Sequence, residues 1–146
     1  MGVDGINTNV FGQGKIDNIG GGSPIRANDS TILGNRNQLA SLDSTGQQIL
    51  PSSINDYATG SHILGNDNQA WGNNAIAIGN KIFVYQNSVA LGYAARAFGN
   101  KSIALGYGAT ANGENSISIG TGNDVEGAKS SAIGDPSYID TTATGT

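Results

Sequence analysis

The sequence predicts an all-β fold, a flattened solenoid in which short coils of near-constant length stack into a rod. Three observations lead there. The runs STILG, SHILG, AIAIG, SVALG, SIALG, SISIG and SSAIG end at Gly34, Gly65, Gly79, Gly92, Gly106, Gly120 and Gly134. From Gly65 onward every step is fourteen positions except the one from Gly79 to Gly92, which is thirteen. A fixed period of this kind marks a repeat architecture. A second glycine follows seven positions after the first at Gly72, Gly99, Gly113 and Gly127, while Gln86 holds that place in the shortened step. Each unit therefore divides into two short segments, each closed by a turn. Finally, charged residues make up only 12% of the chain and glycine numbers 23 of 146. Apolar runs with the helical period are nearly absent, which speaks for strands and tight turns rather than helices.

Residues 1–28 read as an irregular lead with a candidate first coil that ends NVFG at Gly12, well over one coil length before Gly34. Within it, GGGS at residues 20–23 suits a flexible connection. Residues 29–146 carry the repeats. The stretch LDSTGQQILPSSINDYATG, residues 42–60, lacks the motif and is either one atypical coil or a loop insertion. Insertions in repeat proteins often form binding faces.

The two strands of a unit differ. In the first, Val89 and Leu91 share one face and Ser88 and Ala90 the other; Ile103 and Leu105 oppose Ser102 and Ala104 in the same way. Neither face is charged, as in a strand buried on both sides. In the second, Ala95 and Ala97 oppose Arg96 and Phe98, and Ala109 and Ala111 oppose Thr110 and Asn112, so one face points inward and the other meets solvent. We expect Val, Ile and Leu to fill the roll, with Thr31 and His62 at the same inward position in the early coils. The bland face of Ala77, Ala90 and Ala104 is then left for identical chains to approach. Two aliphatic side chains and a few alanines per coil bury too little to offset the ordering of a whole coil, which predicts contact with further copies. Glycine is expected to supply positive φ at both turns, and Asn66, Asn80, Asn100 and Asn115 to share that conformation beside them.

The run NSVALGYAARAFGNKSIALGYGATANGENSISIG resembles the YadA-like head repeat of trimeric autotransporter adhesins, whose pattern is roughly S-[VI]-A-[IL]-G-x-x-A-x-A-x-G-x-x. Residues 61–134 fit it well and residues 8–41 loosely. The closing AIGDPSYIDTTATGT resembles a variant in which GDP opens a longer turn; Gly145 is then the mid-coil glycine, and the chain stops in mid-coil. The resemblance implies a left-handed parallel β-roll, a homotrimer, and display as a passenger domain on the outer membrane of a Gram-negative bacterium. It also implies contact with the membrane only through a C-terminal anchor absent from this sequence. Family heads bind host matrix proteins such as collagen, fibronectin and laminin, or epithelial surface receptors. The alternative is a structural fibre or spacer segment of the adhesin with no ligand of its own.

One constellation stands out as a protein-binding candidate. On the outward face of the second strand, Trp71, Tyr85 and Phe98 occupy the sixth position after the motif glycine, and Gln69, Phe83 and Arg96 the fourth. Stacked coils gather Trp71, Phe83, Tyr85, Arg96 and Phe98 into a ribbon that ends where Thr110, Asn112, Asp124 and Glu126 follow. Trp, Tyr and Arg dominate binding hot spots. The plainer reading is cover by residues 42–60 or by a neighbouring chain, or aromatic stacking along the solenoid. His62 is the only histidine, with no cysteine in the chain. It makes a poor catalytic or metal site alone, so we expect no enzyme, no metal and no cofactor. Asp67, Asp124, Glu126 and Asp135 read as solvated turn carboxylates. A net charge of −4 opposes a nucleic-acid surface, and no lysine follows a glycine-rich loop in the arrangement that cradles phosphates. A left-handed β-helix acyltransferase would need a hexapeptide period and a histidine base. An ice-binding solenoid would need regular threonine rows.

Overall fold

The computed structural model describes residues 9–12, 14–16, 29–40, 59–134 and 136–146. The GGGS segment, residues 42–58 of the motif-free stretch, and Asp135 lie outside the described residues. Within them, all regular structure is strand. The strands run β1 (Asn9–Phe11), β2 (Gly14–Ile16), β3 (Thr31–Leu33), β4 (Asn37–Ala40), β5 (His62–Asn66), β6 (Gln69–Trp71), β7 (Ile76–Asn80) and β8 (Phe83–Tyr85). They continue with β9 (Val89–Tyr93), β10 (Arg96–Ala97), β11 (Ile103–Tyr107), β12 (Thr110–Ala111), β13 (Ile117–Gly120), β14 (Asp124–Val125), β15 (Ser131–Gly134) and β16 (Tyr138–Ile139). Odd-numbered strands form one sheet in chain order and even-numbered strands the other. This is a parallel β-solenoid of the β-roll type: each strand pairs in parallel with its copy in the next coil.

Register is kept across every irregular step. Phe11 pairs with Leu33, and Thr31 with His62, although both steps are longer than one regular coil. In the shortened step, Gln69 still pairs with Phe83, whereas Ile76 pairs with Val89. The missing residue is therefore taken out of the second turn, between Tyr85 and Ser88, where Gln86 replaces glycine. Loss there leaves both strands facing the right way, whereas a slip inside a strand would turn its side chains over.

The faces of the first sheet are the reverse of the expected ones. Ser88, Ala90, Ser102, Ala104 and Ala77 are fully buried. Val89, Leu91, Ile103 and Leu105 point away from the roll and are half-buried. His62 and Thr31 share that outward position, so a polar residue there needs no internal partner. The reason is depth. A coil of two short strands leaves room inside for little more than one small side chain per strand. Ala90 lies in the coil of Ala97, and Ala104 in that of Ala111; where one strand is bulkier the other is small, as with Ile63 and Ala70, Ala77 and Val84, or Ser118 and Val125. Ile32 and Leu39 are the exception, both large and both buried. The consequence is a two-column apolar face on the outside of the first sheet, with Leu33, Leu64 and Ile133 at 44%, 45% and 73% exposure.

Both glycine columns touch the next coil, but they differ in backbone conformation. The motif glycines from Gly34 to Gly134 have φ between 111° and 136°. In the second column Gly72 has the expected positive φ, at 103°, whereas Gly99, Gly113 and Gly127 are not in the left-handed region; a Cβ on Gly99 would lie 1.9 Å from the carbonyl oxygen of Gly113 in the next coil. At those three positions close contact between coils alone requires glycine. Left-handed φ falls instead on the corner residues Arg36, Asp67, Lys81 and Ala94, and on Asn74, Asn87, Lys101, Asn115 and Lys129. Of the four asparagines expected there, only Asn115 adopts it.

Both corners carry buried hydrogen-bond ladders. Asn68 Nδ2 donates to the carbonyls of Gly79 and Leu64 at 2.8 and 3.3 Å, and its Oδ1 accepts from the Ile82 amide at 3.0 Å. Asn37 and Asn123 act likewise. At the other corner, Ser88 Oγ donates to the Gly99 carbonyl at 2.7 Å and accepts from the Ser102 amide at 3.0 Å. Such groups are tolerated inside because they are paired.

Candidate functional site

Parallel in-register stacking repeats each position at a spacing of about 4.8 Å, close enough for rings in successive coils to touch. The outer face of the second sheet shows the result. Gln69, Phe83, Arg96 and Thr110 form one column, and Trp71 and Tyr85 are paired in the other. Ring centres lie 5.0 Å apart for Trp71 and Phe83, 5.9 Å for Trp71 and Tyr85, and 5.8 Å for Phe83 and Tyr85. Phe98 packs on Phe83 at 5.1 Å and edge-on to Tyr85 at 5.4 Å. All four rings are half-buried and Arg96 is exposed. The structure thus brings the five predicted site residues together on one surface. The Trp71 Nε1–H is shielded from solvent and has no hydrogen-bond partner among the described residues.

Below Arg96 the same two columns become acidic. Thr110 pairs with Asp124, and Asp124 with Tyr138. Asn112 Nδ2 donates to Asp124 Oδ1 at 3.2 Å, and the Tyr138 hydroxyl donates to Glu126 Oε2 at 2.7 Å. Burial raises the Asp124 carboxyl above its ordinary range, the charge of Glu126 adds to this, and Arg96 opposes it. The Glu126 carboxylate holds the Tyr138 proton and pushes that phenol up to about 12. Asp140 is held low by the backbone amide of Thr142, which donates to it at 2.8 Å.

The residue after the motif glycine builds a second aromatic feature, absent from the sequence-based candidates. Tyr93 and Tyr107 stack at 5.4 Å with planes 9° apart. Lys81 Nζ donates to the Tyr93 hydroxyl at 2.9 Å, a bond that keeps the ammonium protonated to higher pH than usual. Its signal was the GY pair repeated in two successive units. Beside it, Arg36 donates twice to Asp67, at 2.5 and 2.7 Å, and holds that carboxyl below its usual range. His62 is exposed on β5. Among the described residues no group of three His, Cys, Asp or Glu is placed to hold a metal ion.

Residues 64–81, 86–109, 99–123 and 111–135 match the family model described as YadA head domain repeat (2 copies). No curated protein and no solved structure gives a significant match.

Proposed function

With residues 64–81 and 86–135 identified as YadA head domain repeats, we propose that this chain is the head of a trimeric cell-surface adhesin and that its aromatic ribbon is the surface that meets a host ligand. The observation that carries the proposal is the division of labour between the two sheets. The first sheet turns rows of Val, Ile and Leu outward, where a lone chain would leave them wet. Contiguous apolar surfaces of this kind mark sites of association. Two further copies of the chain cover them. The second sheet then faces away from the assembly, and it carries Trp71, Phe83, Tyr85, Arg96 and Phe98.

The ligand class is a host matrix protein, such as collagen, fibronectin or laminin, or an epithelial surface receptor, and the site of action is the outer surface of a Gram-negative cell. Binding of the protein to immobilised matrix proteins and to epithelial cells tests this, with Trp71→Ala and Phe98→Ala as variants. The expected result is loss of binding with the mass of the assembly unchanged. Full binding by both variants would remove the ribbon as the ligand site and leave the rod as a spacer.

A further inference from the structure

We infer that the ligand surface is longer than its aromatic part and that it takes an extended basic segment of polypeptide, with an apolar or aromatic residue three or four positions from a lysine or arginine. This rests on the adhesin reading and deepens it. The aromatic half, from Trp71 to Phe98, and the acidic half, with Asp124, Glu126 and Asp140, occupy the same two columns of one sheet face. From Gln69 to Tyr138 on those columns, Arg96 is the one cation, and it stands at the seam.

The bonds within the acidic half bring no cation to it. Asp124 accepts from Asn112, Glu126 from Tyr138 and Asp140 from Thr142, all neutral donors. Asp124 and Glu126 repel each other, and Asp124 is partly desolvated. A cation arriving from outside relieves both costs without displacing an existing ion pair. Next to this charge the rings offer anchoring area of the kind that dominates protein interfaces.

Spacing then selects the ligand. Phe98 stands two coils from Glu126 and Tyr85 three, or about 10 and 14 Å at the strand spacing. An extended chain covers about 3.3 Å per residue, which places its apolar anchor three or four positions from its cation. Strands β6 to β14 of this sheet are paired on both sides, so the segment lies across the face along the rod rather than adding to an edge.

The test is an array of ten-residue peptides, each with one Phe and two adjacent Arg at separations of one to six residues, probed with the intact assembly. We expect binding to peak at a separation of three or four and to weaken with added salt. The double variant Asp124→Asn, Glu126→Gln should weaken it about fivefold to tenfold, and Asp124→Lys, Glu126→Lys should shift preference to peptides with Glu in place of Arg. Equal binding of basic and acidic peptides, no dependence on separation, or no binding at all would overturn the inference. Host-matrix binding that survives the double neutralising variant but not Trp71→Ala and Phe98→Ala would overturn it too, while leaving the adhesin reading in place.

Discussion

Gly65 and Gly79 are stacked so closely that a Cβ on Gly65 would lie 1.8 Å from the carbonyl oxygen of Gly79. Gly65 also has a φ of 124°. Two costs therefore fall on one methyl group, a disfavoured backbone and a clash with the next coil. Gly65→Ala should destabilise by more than about 3 kcal/mol. At Gly108, with φ of 64° and open space around the missing Cβ, only the first cost applies. Gly108→Ala should lose about 1 kcal/mol, and denaturant unfolding of the two variants side by side reads the difference.

Ala94 holds the place that Gly108 and Gly122 fill in later coils, and it does so at a φ of 53°. Ala94→Gly relieves the strain at some gain in unfolded-chain freedom. Opposite in sign to most glycine substitutions, it should stabilise by up to about 1 kcal/mol. A lower denaturation midpoint would show that this corner is not strained.

Asn68 is fully buried; two of its three side-chain hydrogen bonds reach the next coil and the third stays within its own. Asn68→Ala leaves the Gly79 carbonyl and the Ile82 amide without those partners, and should cost about 2–3 kcal/mol. Asn66→Ala, on an exposed ladder at the same corner, should cost well under half as much. Thermal unfolding of the two variants under one set of conditions gives the comparison.

Asp124 carries a pH signature. Its pKa in the folded chain is raised above the ordinary 3.8, through burial first and Glu126 second. Folding therefore disfavours the charged form. The penalty is full at neutral pH and fades as pH falls through the folded value towards 3.8. Asp124→Asn should raise the thermal midpoint at pH 7, with the advantage shrinking as pH falls and gone only below 3.8. A constant difference across that range would assign the effect to something other than ionisation.

The period, the two-strand coil and the membership of the aromatic ribbon were legible in the sequence because stacking turns spacing directly into neighbourhood: Phe83, Arg96 and Thr110 stand one coil apart along the chain and adjacent in space. Inside and outside were not legible for the first strand. Ser88–Ala90 and Val89–Leu91 are both uncharged, and hydrophobicity alone assigns Val and Leu to the interior. Volume decides otherwise, since the roll is too shallow for them. The same error hid the serine ladder, because Ser88 and Ser102 were placed on the wrong side of the sheet. Asn37, Asn68 and Asn123 each stand three positions after a motif glycine, a pattern that propensity reads as turn composition rather than as buried bonding.

On the proposed function, the outward Val, Ile and Leu columns of the first sheet are covered by copies of the same chain. Light scattering on the purified protein tests it most directly. A single species of about 44 kDa, three times 14.8 kDa, is the predicted result. A stable, folded species at the mass of one chain, with that apolar face open to water, would contradict it.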